Sequence, residues 1–271
     1  GEITPILIRN HEEFEAASAN LEHDTHNIRG SSLVHLDSDT YVLAFEGHGY
    51  DGYIKTFTIP SDGSSITEVD DLEHDTMHAD HNSLVKVDSD TVALAYTGYD
   101  TVNRNYWGVI STFNIAANGN IGEYGPSIEH DDDSGFYNSL VKVDSDTYAL
   151  AYAGSDQESG FIKTFTIPSD GSSITQVDSF EHDTNAVKWN SLVKADIDVF
   201  ALSYSVEHSG YHSDGFLSTF IIDQHGSIGA VKTQSKGNNL MHELGNAREN
   251  ILVAVNSNIV VLAYKGAQGT S

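Results

Sequence analysis

Short runs of alternating apolar and polar residues, separated by clusters of Asp, Ser and Gly, follow one another along the whole chain. Alternation with a period of two predicts strands, and the clusters predict turns. In the first complete set, residues 32–36, Thr40–Glu46, 53–59 and 66–73 predict four strands, A to D, rich in Val, Ile, Tyr, Phe and Thr. Asp37-Ser38-Asp39 and the PSDGSS segment at 60–65 predict the A–B and C–D hairpin turns, because Asp and Gly supply the backbone geometry that short turns need. No segment sustains a 3.6-residue apolar period. Only residues 11–20 (HEEFEAASAN) look helical in composition, and their place in the repeat argues against a helix.

The sets repeat. Residues 82–91 (NSLVKVDSDT) recur letter for letter at 138–147, and residues 54–67 (IKTFTIPSDGSSIT) recur at 162–175. The Leu of the SLVKV segment aligns as Leu33, Leu84, Leu140, Leu192 and Leu252, with spacings of 51, 56, 52 and 60 residues. The fifth set stops after strand B, and its missing half lies at the other terminus. Residues 1–8 match 52–59 at the glycine and apolar positions, and residues 9–25 match 60–76 in length and in their LEHDT ending. A cyclic repeat of four-stranded units predicts a closed ring. The expected fold is therefore all-β: a single five-bladed β-propeller of four-stranded antiparallel blades. Blades 1 to 4 are expected at about 26–76, 77–132, 133–184 and 185–244. Blade 5 takes strands A and B from about 245–271 and strands C and D from 1–25.

Composition narrows the partners. Forty acidic residues against 13 basic ones give a net charge of −27, which repels nucleic-acid phosphates and anionic membranes. Such a surface suits solubility in a salty medium, and its clustered carboxylates offer calcium or another divalent cation a site. There are no cysteines, so disulfides and thiolate metal sites are excluded. No stretch approaches the apolar length that spans a bilayer, and Gly1 reads as the boundary of a mature chain. The expectation is a secreted or cell-surface monomer.

In a propeller the D–A and B–C loops share one face. Here they are long and varied, whereas the A–B and C–D turns are short and repetitive, so the variable face is the expected binding face. Each D–A loop begins with a histidine followed by an acid: His23 and Asp24, His74 and Asp75, His130 and Asp131, His182 and Asp183, His242 and Glu243. This pattern predicts a structural tie between blades, with metal binding or proton transfer as the alternative. Two positions before each anchor Leu stands Ser31, Asn82, Asn138, Asn190 or Asn250, a polar ring for a ligand or for strand ends. Tyr137, Trp189, Trp107 and Tyr211, with Tyr50, Tyr99, Tyr106 and Phe136, place aromatic faces beside amides and acids, an arrangement that suits sugars. His78 and His81 have the spacing of a metal pair. Glu249 is the one carboxylate adjacent to the Asn ring, and with Trp107, His208 and His212 it forms the candidate centre of a single asymmetric site.

The five-unit ring with loops presented on one face resembles, at the level of fold, the tachylectin-2 type of lectin propeller and the five-bladed glycosidase propellers. The PSDGSS turn sits where sialidase-type propellers carry their Asp-box, but it lacks the Trp and departs from that spacing. The resemblance implies an extracellular carbohydrate-binding module with repeated sites. The alternatives are a polysaccharide-active hydrolase or lyase with one site near the channel, and an acidic adhesive repeat that binds calcium. A repeated pocket would mark a binder, and one odd blade would mark an enzyme.

Overall fold

The computed structural model describes residues 2–3, 6–9, 13–16, 19–102, 104–154, 159–208, 212–229 and 240–266. Among these residues the chain is all β and its strand pairs are antiparallel, with one 3-10 turn at His48–Tyr50. The N-terminal segment supplies β1 (Glu2–Ile3), β2 (Ile6–Arg9), β3 (Glu13–Ala16) and β4 (Leu21–Glu22); β1 pairs with β4 and β2 with β3. The described part of the helix-like 11–20 stretch is thus strand: Glu13 to Ala16 pair with Ile6 to Arg9, which satisfies the backbone across a hairpin.

Three four-stranded sheets follow, one per repeat. Blade 1 holds β5 (Arg29–His35), β6 (Thr40–Glu46), β7 (Gly52–Thr58) and β8 (Thr67–Asp75). Blade 2 holds β9 (Asp80–Asp88), β10 (Thr91–Asp100), β11 (Asn105–Ile115) and β12 (Ile121–Asp131). Blade 3 holds β13 (Phe136–Lys142), β14 (Thr147–Gly154), β15 (Ser159–Thr166) and β16 (Thr175–Asp183). Blade 4 holds β17 (Val187–Lys194), β18 (Val199–His208) and β19 (His212–Ile222), whose outer edge pairs with both β20 (Ile228–Gly229) and β21 (Leu240–Glu243). Finally β22 (Arg248–Asn256) pairs with β23 (Ile259–Lys265).

Each sheet packs face to face on the next, with first strands side by side, which is a propeller-like arrangement. The apolar cores lie between sheets. Ala44 and Ile54 of blade 1 meet Leu84, Leu94 and Phe113 of blade 2. Ala95 and Ile110 of blade 2 meet Leu150 and Phe165 of blade 3. Ala151 and Ile162 of blade 3 meet Leu202 and Phe220 of blade 4. Strand B of blades 1 to 4 is buried on both sides, which explains its unbroken apolar runs, such as TYALAYAG in β14.

Polar ties step from blade to blade at fixed positions. Ser32, Ser83, Ser139 and Ser191 accept through Oγ from the N–H of Leu84, Leu140, Leu192 and Leu252 at 2.8–2.9 Å. Lys86, Lys142 and Lys194 donate to the carbonyls of Leu36, Val87 and Val143. Thr56, Thr112 and Thr164 donate to the carbonyls of Gly119, Gly171 and Gly226, C–D turn glycines with positive φ. The letter-for-letter repeats are therefore selected twice, once for the strand and once for the tie to its neighbour.

Strand A starts earlier than the alternation predicts, at Arg29 rather than residue 32 in blade 1. The reason is a β-bulge present in every repeat. Arg29 pairs with Glu46 and Ser32 with Ala44, so residues 30 and 31 oppose Phe45 alone. The same two-against-one step falls at 81–82, 137–138, 189–190 and 249–250. The first residue of each bulge lies in the left-handed region: Gly30 (φ 53), His81 (φ 54), Tyr137 (φ 55), Trp189 (φ 51) and Glu249 (φ 54). A bulge breaks the inward–outward alternation, which is why the strand pattern fades there.

Candidate functional site

The five D–A histidines form a structural set. Each imidazole stands edge-on to an aromatic ring on strand B of the following repeat: His23 on Phe45, His74 on Tyr96, His130 on Tyr152, His182 on Tyr204 and His242 on Tyr264, at 4.7–4.9 Å. The other face of four of them lies over a glycine of their own strand C. A Cβ on Gly52, Gly108, Gly160 or Gly215 would come within 2.1–2.6 Å of the ring. The tie is therefore one of packing rather than the hydrogen bond expected of a histidine beside an acid. Burial holds His74 and His130 near 3 and His182 near 4, so these rings are neutral at pH 7.

The acids next in sequence do the hydrogen bonding. Oδ1 of Asp24, Asp75, Asp131 and Asp183 accepts the N–H of His26, Met77, Asp133 and Asn185 at 2.6–3.1 Å, which shapes each loop as an Asx turn. Asp183 and Glu243 also accept the phenolic O–H of Tyr204 and Tyr264, both at 3.1 Å. The Asn ring is engaged as well. Asn82 and Asn138 donate to the carbonyls of Ala79 and Gly135 at 2.8 Å, while Asn190 and Asn250 donate to Tyr137 and Trp189 at 3.3 Å. Their amides hold the bulges in place.

The residues that do not repeat hold the first position of each bulge, at the rim, the end of the strands that carries the D–A and B–C loops. His81 packs on Tyr137 at 4.4 Å, Tyr137 on Trp189 at 5.6 Å, and the Arg248 guanidinium lies 5.7 Å from the Trp189 ring centre. One position earlier stand Arg29, Asp80, Phe136, Lys188 and Arg248, four residue types in five repeats. Burial pushes the Tyr137 phenol up to about 12, with the charges of Glu207 and Asp80 adding to it, so this ring is neutral and able to donate.

The junction of blades 1 and 2 departs furthest from the pattern. At the end of strand B the other repeats carry Thr97, Ala153, Ser205 and Lys265, and blade 1 carries Glu46. Thr97 and Ser205 serve as latch atoms: Thr97 donates to the Gly135 carbonyl at 2.6 Å, and Ser205 accepts from Asn250 at 2.9 Å. Glu46 is only 3% exposed, and its carboxyl faces His78 Nε2 at 3.7 Å. Burial raises its pKa above the ordinary carboxylate value, and the charge of Asp80 raises it further. Asp80 accepts from the His81 N–H at 2.6 Å and lies over Gly30, where a Cβ would come within 2.7 Å of Oδ1. Two carboxyl groups thus meet at one junction, one shielded toward its protonated form by burial.

Several sequence expectations fall elsewhere. His78 and His81 do not converge on one point: His78 faces Glu46 and the Thr97 carbonyl, and His81 faces Asp80 at 3.6 Å. Among the described residues no group of three or more His, Asp or Glu is placed to hold a metal ion. Trp107 is packed over Gly98 and against the core between blades 1 and 2 rather than offered to a ligand. His208 pairs with Asp214 at 3.0 Å, His212 with the Gly245 carbonyl at 3.1 Å and Glu249 with Lys265 at 3.6 Å, so Trp107, His208, His212 and Glu249 are each tied to a different neighbour. Tyr211 lies outside the described residues. At the opposite end of the first strands, an open groove of about 480 Å³ is lined by Val34, Leu84, Lys86, Asp88 and Lys142, whose two lysines are already spent on blade ties.

Glu46 and Asp80 escaped sequence reasoning because they sit on different strands of different repeats. The signal that finds Glu46 is a column comparison: it and Lys265 are the only charged residues in a column otherwise filled by Thr, Ala and Ser.

No protein-family model matches the chain, and no curated protein sequence matches it. Solved structures do share its fold. A protein of unknown function from Dyadobacter fermentans aligns at a TM-score of 0.56 and 12% identity over 89% of this chain and 76% of its own. The NanB sialidase of Streptococcus pneumoniae, in its K499G form, aligns at 0.53 and 12% identity over 77% of this chain. This chain spans 33% of that sialidase's length. An α-L-arabinofuranosidase from Lactobacillus brevis aligns at 0.49 and 10% identity over 87% of this chain and 82% of its own. A sialidase is thus among the structures that share this fold, and the similarity is one of fold.

Proposed function

We propose that the protein is a carbohydrate-active hydrolase with one site, at the rim where blades 1 and 2 meet. The observation that carries this reading is the division of labour at the bulges. What repeats is consumed in ties between blades, and the first residue of the bulge differs in every repeat. Five equal pockets would need the opposite. In this reading Glu46 is the acid, since burial raises its pKa and so favours the form that can protonate a glycosidic oxygen, and Asp80 is the second carboxyl group. The sialidase noted above lends the fold and nothing finer. The test is release of reducing ends from a panel of polysaccharides, with Glu46→Gln and Asp80→Asn as variants. Removing an acid catalyst should lower the rate at least about 100-fold. A wild-type protein that releases nothing from any member of the panel refutes the reading. The aromatic rim around Tyr137 and Trp189 supports a second reading, a lectin-like module that binds glycans without cleaving them.

The same reading takes the fold as a closed five-bladed ring whose last blade joins both termini. Three observations support closure. Glu2↔Glu22 and Ile3↔Leu21 repeat the register of Tyr53↔Glu73 and Ile54↔Leu72, shifted by 51 residues. His23 meets Phe45 as the other four histidines meet their tyrosines. Ile251, Val253 and Val261 of β22 and β23 are 54–60% exposed, a face that a completed blade would cover. Closure pairs Glu2 with Tyr264. In this cysteine-free chain, Glu2→Cys with Tyr264→Cys should form an intramolecular disulfide on oxidation, and a product linked only between molecules would exclude the closed monomer. The acidic surface supports a place outside the cell, testable by locating the native protein in fractionated cultures.

A further inference from the structure

We infer that the rim holds an extended, uncharged polysaccharide chain laid across blades 1 to 4, rather than a single terminal sugar. The inference rests on the proposed site and names its substrate class. Six rings from successive blades touch in an unbroken line. Tyr50 meets His78 at 6.0 Å, His78 meets Tyr106 at 5.4 Å and Tyr106 meets Phe136 at 5.0 Å. Phe136 then meets Tyr137 at 6.5 Å, and Tyr137 meets Trp189 at 5.6 Å. Phe136 and Tyr137 also pack against the core between blades 3 and 4, and the line as a whole is partly open to solvent. Tyr50 is 57% exposed, Tyr106 is also exposed, and the other four are half-buried.

Backbone strain points the same way independently. Six non-glycine residues in the described chain have positive φ, and three of them are in this line: Tyr50 (φ 76), Tyr137 (φ 55) and Trp189 (φ 51). A bulky side chain is disfavoured there, and blade 1 shows with Gly30 that glycine fits the same bulge. Tyr137 and Trp189 thus stand at a bulge that every repeat shares, in place of the glycine that the backbone there would favour.

The line has a direction. Its blade 1 end lies at the carboxyl pair, since His78 is both the second ring and the neighbour of Glu46. Its far end is Trp189, beneath the Arg248 guanidinium. A chain gripped at the far end therefore passes its bonds toward Glu46 and Asp80. Flat apolar sugar faces suit the rings, and the hydroxyls suit the acids beside them. A polyuronate or sulfated chain would bring its charges to a protein of net charge −27, in which Lys188 and Lys265 are already paired with Glu207 and Glu249.

The test uses the Glu46→Gln protein, so that binding is read without turnover. Isothermal titration follows dimers, tetramers and hexamers prepared from xylan, arabinan, mannan and β-glucan, with an oligogalacturonate hexamer as the charged probe. For one uncharged series, affinity should rise about tenfold or more from dimer to hexamer, about 1.4 kcal/mol. Trp189→Ala should remove most of that rise and leave the dimer unchanged, Trp189→Phe should restore it, and Glu249→Ala, outside the line, should keep it. Equal affinity for dimer and hexamer, equal weakening of both by Trp189→Ala, binding of the charged hexamer as tightly as the uncharged ones, or binding of none would each overturn the inference. A rise with length that survives while wild-type turnover is absent would sink the hydrolase reading alone. Turnover without a rise would sink the extended chain alone.

Discussion

His130 is 1% exposed, clamped between Gly108 and Tyr152, and burial holds its imidazole near 3, with the charge of Lys163 adding to the effect. In the unfolded chain the same group titrates near 6.5. Between those values the unfolded state binds more protons than the folded one, so stability is complete above the unfolded value and is lost as the pH falls. Linkage makes the loss about 2 kcal/mol between about pH 7 and pH 5 for one such histidine. His74 and His182, also depressed to about 3 and about 4, add losses of the same sign. Together the three approach about 6 kcal/mol, comparable with the whole stability of a typical domain. The perturbation is His130→Asn, which removes the titrating ring. Packing against Tyr152 is lost too, so the variant is weaker at neutral pH. The informative quantity is how the gap between the two proteins changes with pH. Urea unfolding in a series of buffers should show that gap narrowing by about 2 kcal/mol from about pH 7 to pH 5. A gap that stays constant would mean that His130 takes its proton inside the fold, and the reasoning from burial would fail.

The other perturbations have equally definite signs. Glu46 is the reverse case, a carboxyl raised by burial, so its charged form opposes folding and stability falls as the pH rises from the ordinary value of 4.5 through the raised one. Glu46→Gln should therefore melt higher than wild type at neutral pH and show no advantage in acid; an advantage that persists in acid would exclude titration as the cause. Ser83→Ala leaves the Leu140 N–H without its partner and should cost about 1–2 kcal/mol in urea unfolding, whereas no measurable cost would mean that another acceptor takes over. Gly108→Ala drives a methyl within 2.1 Å of the His130 ring and should cost more than about 3 kcal/mol or prevent folding; a melting temperature within a few degrees of wild type would mean that the ring moves aside easily.

The sequence made some parts of this molecule plain and hid others for physical reasons. Strand B of blade 1 is Thr40–Glu46 as the alternation predicts, because a strand buried on both faces keeps its apolar run to the end. Strand A begins before the predicted start because the bulge at Gly30 interrupts the alternation that marks a strand. The histidine repeat was visible, but its partner was not. Yet each D–A histidine is followed 22 residues later by Phe45, Tyr96, Tyr152, Tyr204 or Tyr264, a constant spacing that encodes the contact. Trp107 and Trp189 looked alike as loop aromatics. One is turned into the core by the room above Gly98, and the other is turned outward by its place in a bulge, a difference of backbone that composition does not carry. The carboxyl pair needed three dimensions, since Glu46 ends one blade and Asp80 begins the next.

The bulge also bears on how such a ring can change. The atoms that join blades there are Ser hydroxyls, Leu amide groups and Asn amides, and none belongs to the side chain of the first bulge residue. That one position carries none of the ties, and it is occupied by Gly30, whose backbone leaves no room for a Cβ, and by His81, Tyr137, Trp189 and Glu249. Copies of one blade, once duplicated, are thus free to diverge a letter at a time where the molecule meets its surroundings. Randomising the exposed Glu249, the position of this set outside the core and with no glycine constraint, should yield variants that still fold and offer a new surface in each.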